Sequence, residues 1–124
     1  MEKTEIRNRV YRFLNDLNSE FKDDNFKYEF IVNMGSKFAK IIRENNSQFS
    51  SGRSVWGFVA LKEMNFKNED VKPGDLFKAA SFAAPAAISR GNIFNGTGLY
   101  DKWGPKYIDE IKPIIEMKKK LKML

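Results

Sequence analysis

The sequence contains no cysteine and no histidine. That excludes disulfides, thiolate and imidazole zinc sites, cysteine nucleophiles and Ser-His-Asp triads. The missing cysteines suit a reducing compartment. Long apolar runs are also missing: none approaches the roughly 18 residues of a membrane span. The first residues, MEKTEIRNRV, are charged and do not read as a secretory signal. The expectation is a cytoplasmic protein. Internal repeats and low-complexity linkers are absent, so residues 1–124 are expected to form one domain.

What is present points to a folded core. Hydrophobic residues make up 42% of the chain, too many for a disordered one. Eleven Phe, four Tyr and two Trp supply large buried areas. The net charge is +6, and it is unevenly placed. Residues 36–62 hold Lys37, Lys40, Arg43, Arg53 and Lys62 against Glu44 alone, and the C-terminal third is also basic. Two basic segments on an otherwise balanced chain fit an anionic partner, nucleic acid being the usual one. The same charge also serves solubility.

Ile6, Val10, Phe13, Leu14, Leu17 and Phe21 fall at helical spacing. They predict an amphipathic helix over about residues 4–21, with Thr4 as N-cap. Arg7, Arg9 and Arg12 read as its solvated side. FKYEFIVNM alternates, with Phe26, Tyr28, Phe30, Val32 and Met34 on one face, as a half-buried strand does. A turn at Gly35-Ser36 leads to a returning strand, KFAKIIREN. RSVWGFVALK is apolar on both faces and predicts a central strand. EMNFKNEDVKPG reads as a loop and DLFKAAS as a short fourth strand. The expected fold class is α+β: an N-terminal helix, an antiparallel meander of about four strands, a short Ala-rich helix and a kinked C-terminal helix.

The Ala-rich helix is AAPAAISRG, with Pro85 in its first turn, Arg90 in its last and Gly91 at its end. Arg90 reads either as a capping charge or as a cation presented to a phosphate. Beyond it, Pro105 can start a helix, and Tyr107, Ile108, Ile111, Ile114, Ile115 and Leu121 trace its stripe. Pro113 inside that stripe predicts the kink.

WGFVAL (56–61) compares with the RNA-recognition strand signature, where aromatics two apart stack on bases. Trp56, Gly57, Phe58 and Val59 fit its centre. Ser54, Val55 and Leu61 depart from it, and a hairpin stands where that fold needs a helix. A weaker form remains: a stacking platform beside Lys37, Lys40, Arg43 and Arg53. The platform exists only if no helix covers the Trp56 face. The carboxylates show no spacing that asks for a metal, and KPGD and NGTG are turns rather than phosphate loops. No enzyme, cofactor or metal is expected.

From about Tyr28 to Phe94 the chain resembles a group of small uncharacterised proteins of tailed phages. The resemblance rests on KFAKII, GRSVWGFV and GDLFKAASFAAPAAISRGNIF, in that order. It implies a viral, non-secreted protein and carries no activity. The functional expectation is a non-enzymatic accessory protein that binds nucleic acid, single strands rather than duplexes, with little sequence specificity. Lys37, Lys40, Arg43, Arg53 and Arg90 would contact phosphates, and Trp56 or Trp103 would stack on bases. The alternatives are an effector that occupies a host protein and an oligomeric structural component. No membrane is expected among the partners.

Overall fold

A computed structural model describes residues 3–21, 28–46, 51–94, 97–98, 100–101 and 104–105. The predicted C-terminal helix and Trp103 lie outside the described residues. Helix α1 (Lys3–Glu20) buries Ile6, Val10 and Leu17, the stripe that the spacing predicts. It begins one residue before Thr4, which is therefore inside the helix and not its cap. No helix among the described residues is long and apolar enough to cross a membrane.

The main sheet is antiparallel, in the order β1 (Tyr28–Met34), β2 (Phe38–Asn46), β3 (Ser51–Ala60) and β6 (Leu76–Phe77). The β1–β2 connection turns on Ser36 and Lys37, closed by the Gly35 amide donating to the Phe38 carbonyl at 2.9 Å. The segment 63–74, expected as a loop, holds a hairpin of β4 (Met64–Phe66) and β5 (Glu69–Val71). Its two-residue turn has Lys67 and Asn68 at φ 50° and 66°, the mirror-image turn that matches strand twist. Glycine usually marks such a turn, and a Lys-Asn pair hides it.

Helix α1 lies across one face of the sheet. Phe30, Ala39, Ile41, Trp56, Val59, Leu61 and Leu76 join its buried stripe in the main core. Phe58, Ala60, Val71 and Phe77 form a smaller core on the opposite face. Asn18 pins the helix to β1, the edge strand. Its Nδ2 donates to the Phe30 carbonyl at 3.0 Å, and its Oδ1 accepts the Phe30 amide at 2.8 Å. Both hydrogen-bonding groups of one edge residue are thereby closed to further pairing.

Strict alternation places Trp56 and Phe58 on the same face, and the structure does not. Ile41 pairs with Gly57 while Ile42 pairs with Val55, so Trp56 is the extra residue of a β-bulge. The bulge resets the alternation. Trp56 turns toward α1, and Phe58 turns to the opposite core. Gly57 sits at this irregularity because a Cβ there would stand 2.9 Å from the Phe77 carbonyl oxygen and 3.0 Å from Pro105 Cδ.

The predicted Ala-rich helix is absent. Residues 79–90 form an irregular, strand-like return that bridges Ala79 to Pro85. The backbone bonds run to distant partners: Ala86 N–H to Lys78 O at 2.7 Å and Arg90 N–H to Leu76 O at 2.6 Å. Ser81 Oγ accepts the amides of Ala83 and Ala84, both at 3.2 Å, in place of a helical ladder. Ile88 at φ 71° excludes a right-handed helix there. The predicted fourth strand shrinks to β6 for the same reason: after Phe77 the chain bends into this return. Gly91–Asn92 (β7) then pairs with Thr97–Gly98 (β8). Tyr100–Asp101 (β9) pairs with Gly104–Pro105 (β10), so Pro105 itself stands in a strand.

Candidate nucleic-acid interface

The residues expected to contact nucleic acid do not converge. Lys37 is exposed on the β1–β2 turn. Lys40 points to the sheet face away from α1, its Nζ 4.4 Å from the centre of the Phe82 ring. Arg53 shares that face but lies four residues along the strand, about 13 Å away at strand rise. It is tied to Glu44 by a 2.9 Å ion pair. Arg43 projects to the helix side, 8% exposed, with its guanidinium 4.5 Å over the Tyr28 ring. Arg90 is 6% exposed and donates from Nε to the Ile88 carbonyl at 3.1 Å. Burial lowers its pKa.

Trp56 is 1% exposed. Phe13, Phe30 and Tyr100 surround its ring at centroid distances of 5.9, 6.3 and 5.6 Å. It presents no face to a base. The helix on the Trp56 face removes the platform, and the bulge separately breaks the Trp56–Phe58 pairing on which the motif depends.

A different set of residues does converge. Lys3, Arg7 and Lys62 line one pocket of about 340 Å³, together with Ser36, Ile6 and Leu61. Two connections bring them together. Lys3 and Arg7 are one helical turn apart on α1 and so share a face. The Leu61 amide donates to the Lys37 carbonyl at 2.9 Å, which joins the end of β3 to the Ser36–Lys37 turn. Lys37 follows Ser36, so it adds a fourth cation to this end of the molecule. Tyr11 lies one further turn along the Lys3–Arg7 line and is 49% exposed.

Among the described residues no carboxylate lines the pocket. Glu63, next to Lys62 in the chain, is bound to Lys72, as is Asp70. Those two hydrogen bonds raise the Lys72 pKa. The three arginines of α1, read alike in the sequence, differ here. Arg9 stacks 4.8 Å over the Phe94 ring, and Arg12 is exposed. Arg7 is partly buried, and its Nε is buried with no hydrogen-bond partner among the described residues. The Lys3–Arg7–Tyr11 spacing was visible in the sequence. The approach of Ser36 and Lys62 was not, because it depends on strand register.

A second pocket, of about 350 Å³, lies on the opposite sheet face. Phe38, Phe58, Met34, Ala83 and Pro85 make it mainly apolar, with Lys40 and Asn33 at its wall. Among the described residues no group of acidic side chains is placed to hold a metal ion.

No curated protein and no solved structure matches the chain. A family model does match, over residues 2–98, which include α1, the whole main sheet and every residue of the cationic pocket. The protein therefore belongs to a family of unknown function, DUF7717.

Proposed function

We propose that the protein is a small accessory protein of a phage-like virus that binds nucleic acid in the host cytoplasm without catalysing a reaction. It takes single strands in preference to duplexes and reads little sequence. The observation that carries this reading is the grouping of Lys3, Arg7 and Lys62 around one pocket with no carboxylate among its described lining residues, and with Tyr11 exposed beside them. Cations supply phosphate contacts that depend on salt and not on sequence. An exposed ring on the same helix line supplies a surface on which any base can stack. The viral assignment rests on the resemblance of residues 28–94 to tailed-phage proteins.

Fluorescence anisotropy with labelled single-stranded DNA, single-stranded RNA and duplex DNA tests this. Affinity should fall steeply with salt, by a log–log slope of about 0.7 per phosphate contact on a single strand. The double substitution Arg7→Glu, Lys62→Glu should abolish most of the binding, and Tyr11→Ala should weaken it with little change in slope. A folded protein that binds none of the three at low salt sinks the reading.

One observation favours a second reading, occupation of a host protein. Phe82 is 57% exposed against Lys40, which lines the mainly apolar far-face pocket where a partner's side chain could seat. Phe82→Ala would then weaken partner binding and leave oligonucleotide binding unchanged.

A further inference from the structure

We infer that the pocket of Lys3, Arg7, Ser36 and Lys62 seats one phosphomonoester group, as found at the end of a nucleic-acid strand or on a free mononucleotide. The inference rests on the nucleic-acid reading for the source of the ligand, but not for its chemistry.

Three features carry it. The first is shape. Ile6 and Leu61 line the pocket and both belong to the main core, so its floor is the protein interior. A chain end can seat against such a floor. The volume of about 340 Å³ lies within the range of small-ligand pockets, about 300–1,000 Å³. That admits a phosphate with its attached sugar.

The second is charge. Three cations face one cavity with no carboxylate among its described lining residues. A terminal monoester carries about two negative charges near neutral pH, against one for an internal diester. The dianion therefore gains more from the same three side chains, and the Ser36 hydroxyl adds a neutral donor.

The third is an unspent donor. Arg7 Nε is buried without a hydrogen-bond partner among the described residues. A buried donor normally finds an acceptor, so this one is an unmet hydrogen-bonding group on a side chain that lines the pocket. Arg9 differs, since its guanidinium lies against the Phe94 ring. Arginine is also the residue whose fork geometry matches phosphate.

The test uses the full chain and short single strands of one sequence bearing a 5′-phosphate, a 3′-phosphate or hydroxyls at both ends, each labelled away from the tested end. A nucleoside monophosphate and inorganic phosphate are assayed in parallel by thermal shift. The expected result is about tenfold tighter binding of one phosphorylated end over the hydroxyl strand, the scale of a charged hydrogen-bonded contact. Arg7→Gln and Lys62→Gln should each erase that preference, and Lys40→Gln on the far face should keep it. Lys62 is exposed, so its variant stays informative if Arg7→Gln impairs folding. Equal binding of all three strands, with no stabilisation by the monophosphate, overturns the inference and leaves general nucleic-acid binding standing. If no strand binds but the monophosphate raises the melting temperature only when Arg7 and Lys62 are intact, the pocket stands with a free nucleotide as its ligand. The nucleic-acid reading then falls.

Discussion

The two faces of the sheet are closed in different ways. On one, an 18-residue helix lays Ile6, Val10 and Leu17 onto Phe30, Ile41, Trp56 and Val59, and seven aromatic contacts bind the layer together. On the other, a three-residue-per-strand hairpin and an irregular return cover Phe58 and Phe77, leaving a pocket and an exposed Phe82. A long amphipathic helix buries a continuous stripe. A short hairpin buries two or three side chains. The difference assigns stability to the helix face and leaves the far face freer to change without loss of fold.

The largest expected effect tests that division directly. Trp56→Ala removes the largest fully buried side chain among the described residues and should cost about 3–5 kcal/mol, as buried aromatic truncations do. Phe82→Ala, on the exposed return of the far face, should change stability by less than about 0.5 kcal/mol. Urea unfolding of both variants measures the contrast. A loss below about 1 kcal/mol for Trp56→Ala would mean that the ring is not packed as described, and would revive its candidacy as a stacking residue.

Asn18→Ala gives a smaller effect that probes how the helix is held. It removes two hydrogen bonds to Phe30 and leaves a partly buried edge amide and carbonyl without partners. The expected cost is about 1–3 kcal/mol. The opened edge should also pair with a second chain. Light scattering should then show self-association that grows with concentration. If Asn18→Ala destabilises the protein without associating, the helix body alone shields the edge.

How much of this was legible follows from which forces are local. The α1 stripe and the β1 alternation depend on side-chain periodicity within one element, and both were read with the correct faces. The bulge at Trp56 was not, because it depends on pairing with Ile41 and Ile42, two residues of another strand. The Ala-rich segment misled for a related reason. Its alanines and Pro85 have helix-compatible local preferences, but its amides bond to Lys78 and Leu76, and tertiary pairing overrides propensity. The site shows the same limit. Lys3 and Arg7 sit at helical spacing, whereas Ser36 and Lys62 reach them only because β2 and β3 pair in this register.

The smallest effect is a pH dependence on the helix face. Tyr100 packs edge-on against Phe13, Phe21 and Trp56. Burial disfavours its phenolate, and the nearby carboxylates of Glu20 and Asp16 add to this, so its pKa lies above the usual 10.0. The unfolded chain releases this proton near its ordinary value, and the folded chain holds it longer. Stability from this group is therefore complete below about pH 10 and declines as pH rises from there through the raised folded value. Surface ion pairs such as Lys72 with Glu63 and Asp70 weaken in the same range, so the wild-type curve alone does not isolate the tyrosine. The comparison of wild type with Tyr100→Phe does. The variant should lose less stability between neutral pH and pH 11, and its ultraviolet titration should lose the amplitude of one phenol that ionises above the ordinary range. Parallel curves for the two proteins would place Tyr100 in contact with water, and the helix face would then be less tightly closed at that edge than its aromatic contacts imply.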